Sequence, residues 1–168
     1  VSKSEAISIL NDLSMFKQKN ITEFIRSIPF YVYAKEFEEA YRLLDECVAQ
    51  SDKEAACYFA RASVRQMELD QLTSEYIEMV GSLDVVDTVY QNKTEKLVSQ
   101  IESDYHRVIE LDKNMSFAHF NLAHLLAFAE RYEEAESHFG LAASSNGNFI
   151  EANYNRGLIR LILGETTK

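Results

Sequence analysis

Two series of positions, each broken in the same place, constrain this chain more than any other feature it has. Ile28, Ala62, Ala123 and Gly157 are separated by 34, 61 and 34 residues, and Ala6, Ala40, Ile101 and Ala135 by the same three intervals. A large side chain stands four residues after each member of the second series: Leu10, Leu44, Tyr105 and Phe139. A period kept by two independent series means that one supersecondary unit is stacked on itself. Paired antiparallel helices suit a unit of this length, because helices approach closely only where side chains are small and large neighbours fill the space beside them. Composition agrees, since 5 Gly and 1 Pro in 168 residues leave little turn chemistry for a many-stranded sheet. The expected fold class is all-α.

The clearest unit is Ser116 to Phe149, SFAHFNLAHLLAFAERYEEAESHFGLAASSNGNF. It has small residues at its eighth, twentieth and twenty-seventh positions (Ala123, Ala135, Ala142), a bulky one at the eleventh (Leu126) and an aromatic at the twenty-fourth (Phe139). The next unit opens with IEANYNRGLIRLILG, in which Asn155-Arg156-Gly157 is similar to the start of many bacterial tetratricopeptide (TPR) helices. On these residues the chain resembles a TPR protein of bacterial type over nearly its whole length.

The resemblance implies an α-α superhelix, a right-handed TPR solenoid with one elongated helical hairpin. Its expected parts form a single TPR-like domain over 1–168: a leading helix at 4–16, repeats at 21–54, 55–115 and 116–149, and a final helix at 150–164, eight helices in all. The family's Trp position is occupied by Phe24, Tyr58, His119 and Asn153, and its Pro near the repeat end by Asp52, Lys113 and Gly147. Pro29 falls inside the first helix of the first repeat, where it removes a backbone hydrogen bond unless the helix kinks or starts there. The chain begins at Val1 without Met and stops at Lys168 soon after the middle of a repeat, as a piece of a larger protein would.

The 61-residue interval holds 27 residues more than the period, placed between the two helices of the second repeat. A structureless loop of that length is uncommon in a compact domain. Leu69, Leu72, Tyr76 and Met79 instead continue the first helix, and Leu83, Val86, Tyr90, Leu97, Ile101, Tyr105 and Val108 continue the second, with Lys93 interrupting the stripe. Gly81-Ser82 offers a turn, with Ser82 as cap and Asp84 near the helix N-terminus. Each helix would then project about 20 Å further. A break at Gln91–Thr94, with Asn92 and Glu95 as a capping box, is the alternative. It leaves one helix overhanging its partner, so the first is preferred.

Lys plus Arg number 17 and Asp plus Glu 27, a net charge of −10, which excludes most nucleic-acid binders because phosphate contacts need a basic face. From Glu68 to Asp104 there are nine acidic and two basic residues, so the inserted arm carries most of that charge. This is the pattern of a solvated outer face, and its sharper alternative is a docking surface for a basic partner. No apolar stretch is long enough to span a bilayer, so no direct membrane insertion is expected. Nothing fixes the compartment, cytoplasmic or bacterial periplasmic and envelope-associated. Cys47 and Cys57 are too few for a disulfide framework and lack zinc-ligand spacing, so both are expected as small buried apolar residues.

No reactive constellation points to an enzyme, a cofactor or a metal. His119 and His124 are five apart, about 140° around a helix, and no HExxH occurs. His106 and His138 sit beside the aromatic positions of second helices, as packing or surface residues. Glu38-Glu39 and Glu133-Glu134 complement helix dipoles, and Gly157 and Gly164 are helix-packing and helix-end glycines.

The resemblance further implies a concave groove lined by first helices. Its positions map onto Phe59, Ser63, Gln66 and Met67, onto Phe117, Phe120, Asn121, His124 and Phe128, and onto Glu151, Tyr154, Asn155, Leu158 and Ile162. Aromatic and Met side chains anchor peptides, and Asn can hydrogen-bond an extended backbone. Phe117, Leu158 and Ile162 could equally be core. The expected function is therefore a non-enzymatic scaffold that binds a protein or peptide ligand, with Phe59, Phe120 and Tyr154 as anchors and Asn121 and Asn155 orienting the backbone. The carboxylate clamp by which some TPR domains grip acidic C-terminal tails is not expected: Phe59, Ser63, Asn121, Glu151 and Asn155 stand in its place, only Asn121 fits, and Glu151 repels a carboxylate. The alternative function is a spacer or self-assembly module that uses the acidic arm 69–95.

Overall fold

The computed structural model describes residues 37–80 and 88–164. Six helices lie in this span: α1 (Phe37–Gln50), α2 (Ala55–Val80), α3 (Thr88–Leu111), α4 (Ser116–Phe128), α5 (Tyr132–Ser145) and α6 (Ile150–Ile162). No strand occurs among the described residues, and the fold is all-α. The leading helix, Phe24, Ile28 and Pro29, and the Gly81–Asp84 turn with Leu83 and Val86 lie outside the described residues. By their internal contacts the residues form two units, 1–104 and 105–168.

In the first unit, α1 opens with Glu38 and Glu39, whose charge suits the positive end of the helix dipole. Its apolar stripe of Ala40, Leu43 and Leu44 packs on Ala60 and Val64 of α2, with Phe37 and Tyr41 at the margin. The turn at the end of α1 returns the chain so that Cys47 and Cys57 come within 5.8 Å (Cα–Cα) and are joined as a disulfide. This corrects the expectation of two free thiols. Both residues are buried as expected, but only the helix–turn–helix path brings positions ten apart to bonding distance, and spacing alone does not reveal it.

The inserted residues lengthen both helices of a hairpin, α2 to 26 residues and α3 to 24. The rings of Tyr76 and Tyr90 stack at 3.8 Å, Lys93 pairs with Glu68 at 2.9 Å, and Arg61 reaches Asp104 at 2.7 Å. Residue numbers rise along α2 as they fall along α3, so the two helices run antiparallel. The described part of the first of these helices ends at Val80 and that of the second begins at Thr88, and Gln91–Thr94 lies inside α3. The alternative break is therefore overturned. Tyr90 and Lys93, each held by a residue of α2, keep that stretch helical, and the pairing with Glu68 accounts for the lysine that interrupts the apolar stripe.

In the second unit α4, α5 and α6 pack in succession. Ala118, Leu122, Ala123, Leu125 and Leu126 bury the inner face of α4, and Ala135, Phe139 and Ala142 that of α5. Ala142, Phe149 and Ala152 form a further cluster where α6 begins, with Phe120 and Ala143 against it. The turn from α4 to α5 is closed by backbone N–H donors of Glu130 and Arg131 to the carbonyls of Ala127 and Leu126. Glu130 takes the left-handed conformation there, with φ 59°. Glu136 of α5 accepts hydrogen bonds from Arg156 at 2.6 Å and Arg160 at 2.7 Å. Burial works against the Glu136 carboxylate, but these two guanidinium groups hold its pKa below the ordinary value.

Candidate functional site

Residues three and four apart share a helix face. In the first unit Phe59, Ser63 and Met67 make such a stripe on α2, with Met67 exposed and the other two half-buried. The Ser63 hydroxyl donates to the Phe59 carbonyl at 2.9 Å, and Gln66 donates to Asp70 at 2.9 Å.

The second unit carries the more developed surface. Phe117, Asn121, His124 and Phe128 share one face of α4, and Glu151, Asn155, Leu158 and Ile162 are the same four repeat positions, each 34 residues later, on α6. The two faces are tied by Asn155 Nδ2 and His124 Nε2, 3.2 Å apart. Phe117, Phe128, Leu158 and Ile162 are each more than 40% exposed around that bond, so four large apolar side chains flank a central polar pair.

The polar pair has a defined state. Burial pulls the His124 pKa below its ordinary value, with the Phe120 ring 4.6 Å and the Phe139 ring 5.1 Å from it by centroid. A neutral His124 accepts at Nε2 from the Asn155 amide and carries its proton at Nδ1. Asn121 donates to the Tyr105 hydroxyl at 3.1 Å. Each asparagine thus spends one donor within the chain.

Two expected anchors sit differently. Phe120 is packed between Phe139, Phe149 and His124, with ring centroids at 5.7, 4.6 and 4.6 Å. Tyr154 is exposed opposite the buried Ala152 and Ile159, beside Leu158 four residues on but about 100° around α6 from Asn155. At its start α4 offers Phe117 rather than Phe120, because the repeat aims position five of the unit at the following helix.

Sequence reasoning missed two further arrangements. The buried Asp104 accepts from Arg61 at 2.7 and 3.0 Å and from Arg65, while Arg61 also reaches Asp45 at 2.7 Å. Buried His119 places Nδ1 3.0 Å from His138 Nδ1 and Nε2 3.1 Å from the Lys113 carbonyl. The carbonyl can only accept, so His119 donates from Nε2 and accepts at Nδ1 from His138. Both arrangements join residues on different helices, and no local motif signals them. Among the described residues no group of three or more His, Cys, Asp or Glu is arranged to hold a metal ion, and no helix is long and apolar enough to cross a membrane.

Helices α4 and α6 start 34 residues apart with α5 between them, and small residues stand where the helices meet. This defines a TPR-like helical repeat. No protein-family model matches the chain, and no curated protein matches it. Solved structures similar to it include YrrB, described as a TPR protein with an unusual peptide-binding site. That match has 16% identity, covers 98% of this chain and 85% of YrrB, and has a TM-score of 0.37. Likeness at that level leaves the site to be argued from this chain's own residues.

Proposed function

We propose that the chain is a non-enzymatic protein-interaction module of bacterial TPR type, holding a segment of a partner protein along the paired faces of α4 and α6. The observation that carries this reading is the strip of Phe117, Phe128, Leu158 and Ile162 set around the Asn155–His124 hydrogen bond. Exposed large apolar side chains flanking hydrogen-bonding groups are the usual make-up of a peptide-binding surface. Asn121 and Asn155 would meet the ligand's backbone, and Phe117, Phe128, Leu158 and Ile162 its apolar side chains. Glu151 at the edge of the strip disfavours an acidic ligand. Phe59, Ser63 and Met67 on α2 would add a second, separate contact in the first unit.

The test compares the chain with Phe128→Glu combined with Leu158→Glu, as bait for partners in the source cell's lysate. Both side chains are exposed, so helicity should be unchanged. A protein retained by the unaltered chain and lost by the variant supports the reading; the same proteins retained by both contradict it. A spacer or assembly role for the α2–α3 arm is favoured by Ile77 and Val89, apolar and exposed on it at 65% and 74%. In that case shortening residues 69–95, and not the double substitution, would abolish the interaction.

A further inference from the structure

Three of the chain's 4 histidines meet in the second unit: His106 of α3, His119 of α4 and His138 of α5, on three successive helices. The ring centroids of His119 and His138 are 5.2 Å apart, and those of His106 and His138 are 6.3 Å apart. His119 is buried, His138 half-buried and His106 exposed, so the row runs from the interior to solvent. His119 lies about 140° around α4 from His124, which separates the row from the strip. An apolar side chain would fill position 119 without the cost of desolvating an imidazole. The Lys113 carbonyl accepts a hydrogen bond from His119 Nε2 at 3.1 Å. That contact fixes the tautomer and leaves the Nδ1 lone pair facing His138 Nδ1, 3.0 Å away. A histidine that ligates a metal is commonly held in this way, its second nitrogen donating to a backbone carbonyl.

We propose that His119 and His138 ligate a first-row transition-metal ion suited to imidazole, such as Zn2+, with His106 as third ligand and water completing the shell. At a metal–nitrogen distance of about 2.0–2.1 Å, two nitrogens on one tetrahedral ion stand roughly 3.3 Å apart and their ring centroids roughly 5 Å apart. The His119–His138 pair already lies close to both spacings. The ion takes the place of the proton between the two Nδ1 atoms, and His138 then carries its proton at Nε2. With the side chains as they stand, two donors converge and not three. His106 must approach His138 by about 1 Å to join them, a movement within reach of an exposed side chain. The Glu134 carboxylate, one turn before His138, adds negative charge nearby. Arg131 donates to it at 2.6 and 2.7 Å and lowers its pKa most, with His138 and His106 contributing. The proposal does not rest on the peptide-binding reading.

The test is calorimetric titration of the full, disulfide-bonded chain with Zn2+ alone near neutral pH, with Mg2+, which prefers oxygen ligands, as the control ion. The expected result is saturable binding of Zn2+ and none of Mg2+, weakened about tenfold or more in His138→Gln and in His106→Gln. Glutamine at 138 keeps a donor for His119, and position 106 is exposed, so both variants should match the unaltered chain in helicity by circular dichroism. In NMR spectra Zn2+ should move the imidazole signals of His106, His119 and His138 and leave those of His124 in place. A chain that takes up no Zn2+ overturns the proposal. So does Zn2+ binding that either variant leaves at full strength.

Discussion

Asn155 of α6 donates its side-chain amide to Nε2 of His124 on α4, 3.2 Å away. That hydrogen bond requires a bare Nε2, and burial lowers the His124 pKa from its ordinary 6.5, which keeps the ring neutral. A pH dependence follows. Above about 6.5 neither the folded nor the unfolded chain protonates this ring, and its contribution is fully present. As pH falls below that value the unfolded chain takes up the proton first, so stability declines until the folded ring also titrates. An NMR titration should place the His124 midpoint below that of a free histidine. His124→Gln, which keeps an acceptor and does not titrate, should flatten the stability profile over the same window; an unchanged profile would contradict the assignment.

Asp104 is buried between Arg61 and Arg65. Asp104→Asn would leave the largely buried Arg65 guanidinium without this anion and Arg61 with Asp45 alone, a change that costs about 3–5 kcal/mol when a buried pair is broken from one side. Urea unfolding should show a loss of that size, and a loss below 1 kcal/mol would mean that water solvates the cluster in place of the carboxylate.

The Cys47–Cys57 bridge closes a separation of ten residues. Loop-closure entropy assigns a bridge of this span about 3 kcal/mol, through restriction of the unfolded chain. The double substitution Cys47→Ser and Cys57→Ser should lower the unfolding free energy by about that amount. The unaltered chain should show no free thiol at either position under denaturing, non-reducing conditions. Two reactive thiols there would contradict the bridge.

What was legible beforehand and what was not divides along a physical line. The period was legible because Ala123, Ala135 and Ala142 must be small wherever these helices meet, whatever else surrounds them. The paired faces were legible for the same reason, since positions 34 apart inherit one orientation: Phe117 with Glu151, His124 with Leu158, Phe128 with Ile162. Phe120 and Tyr154 were harder. They sit one helix position away from Asn121 and Asn155, and only the placement of α5 shows that Phe120 is packed against Phe139 while Tyr154 is exposed. The Cys47–Cys57 bridge, Asp104 with its two arginines, and His119 with His138 were not legible. Each joins residues on different helices, and the identity of either partner alone fits an ordinary surface or core position.

The central claim is that α4 and α6 together hold a partner's segment. Its most direct test is to select a peptide against the full chain from a display library and map the bound peptide by NMR chemical-shift perturbation. The account predicts that the largest shifts fall on Phe117, Asn121, His124, Phe128, Asn155, Leu158 and Ile162, and that Phe128→Glu with Leu158→Glu abolishes them. Shifts confined to the α2–α3 arm or to Ile150, Tyr154 and Leu161, or binding that survives the double substitution, would contradict it.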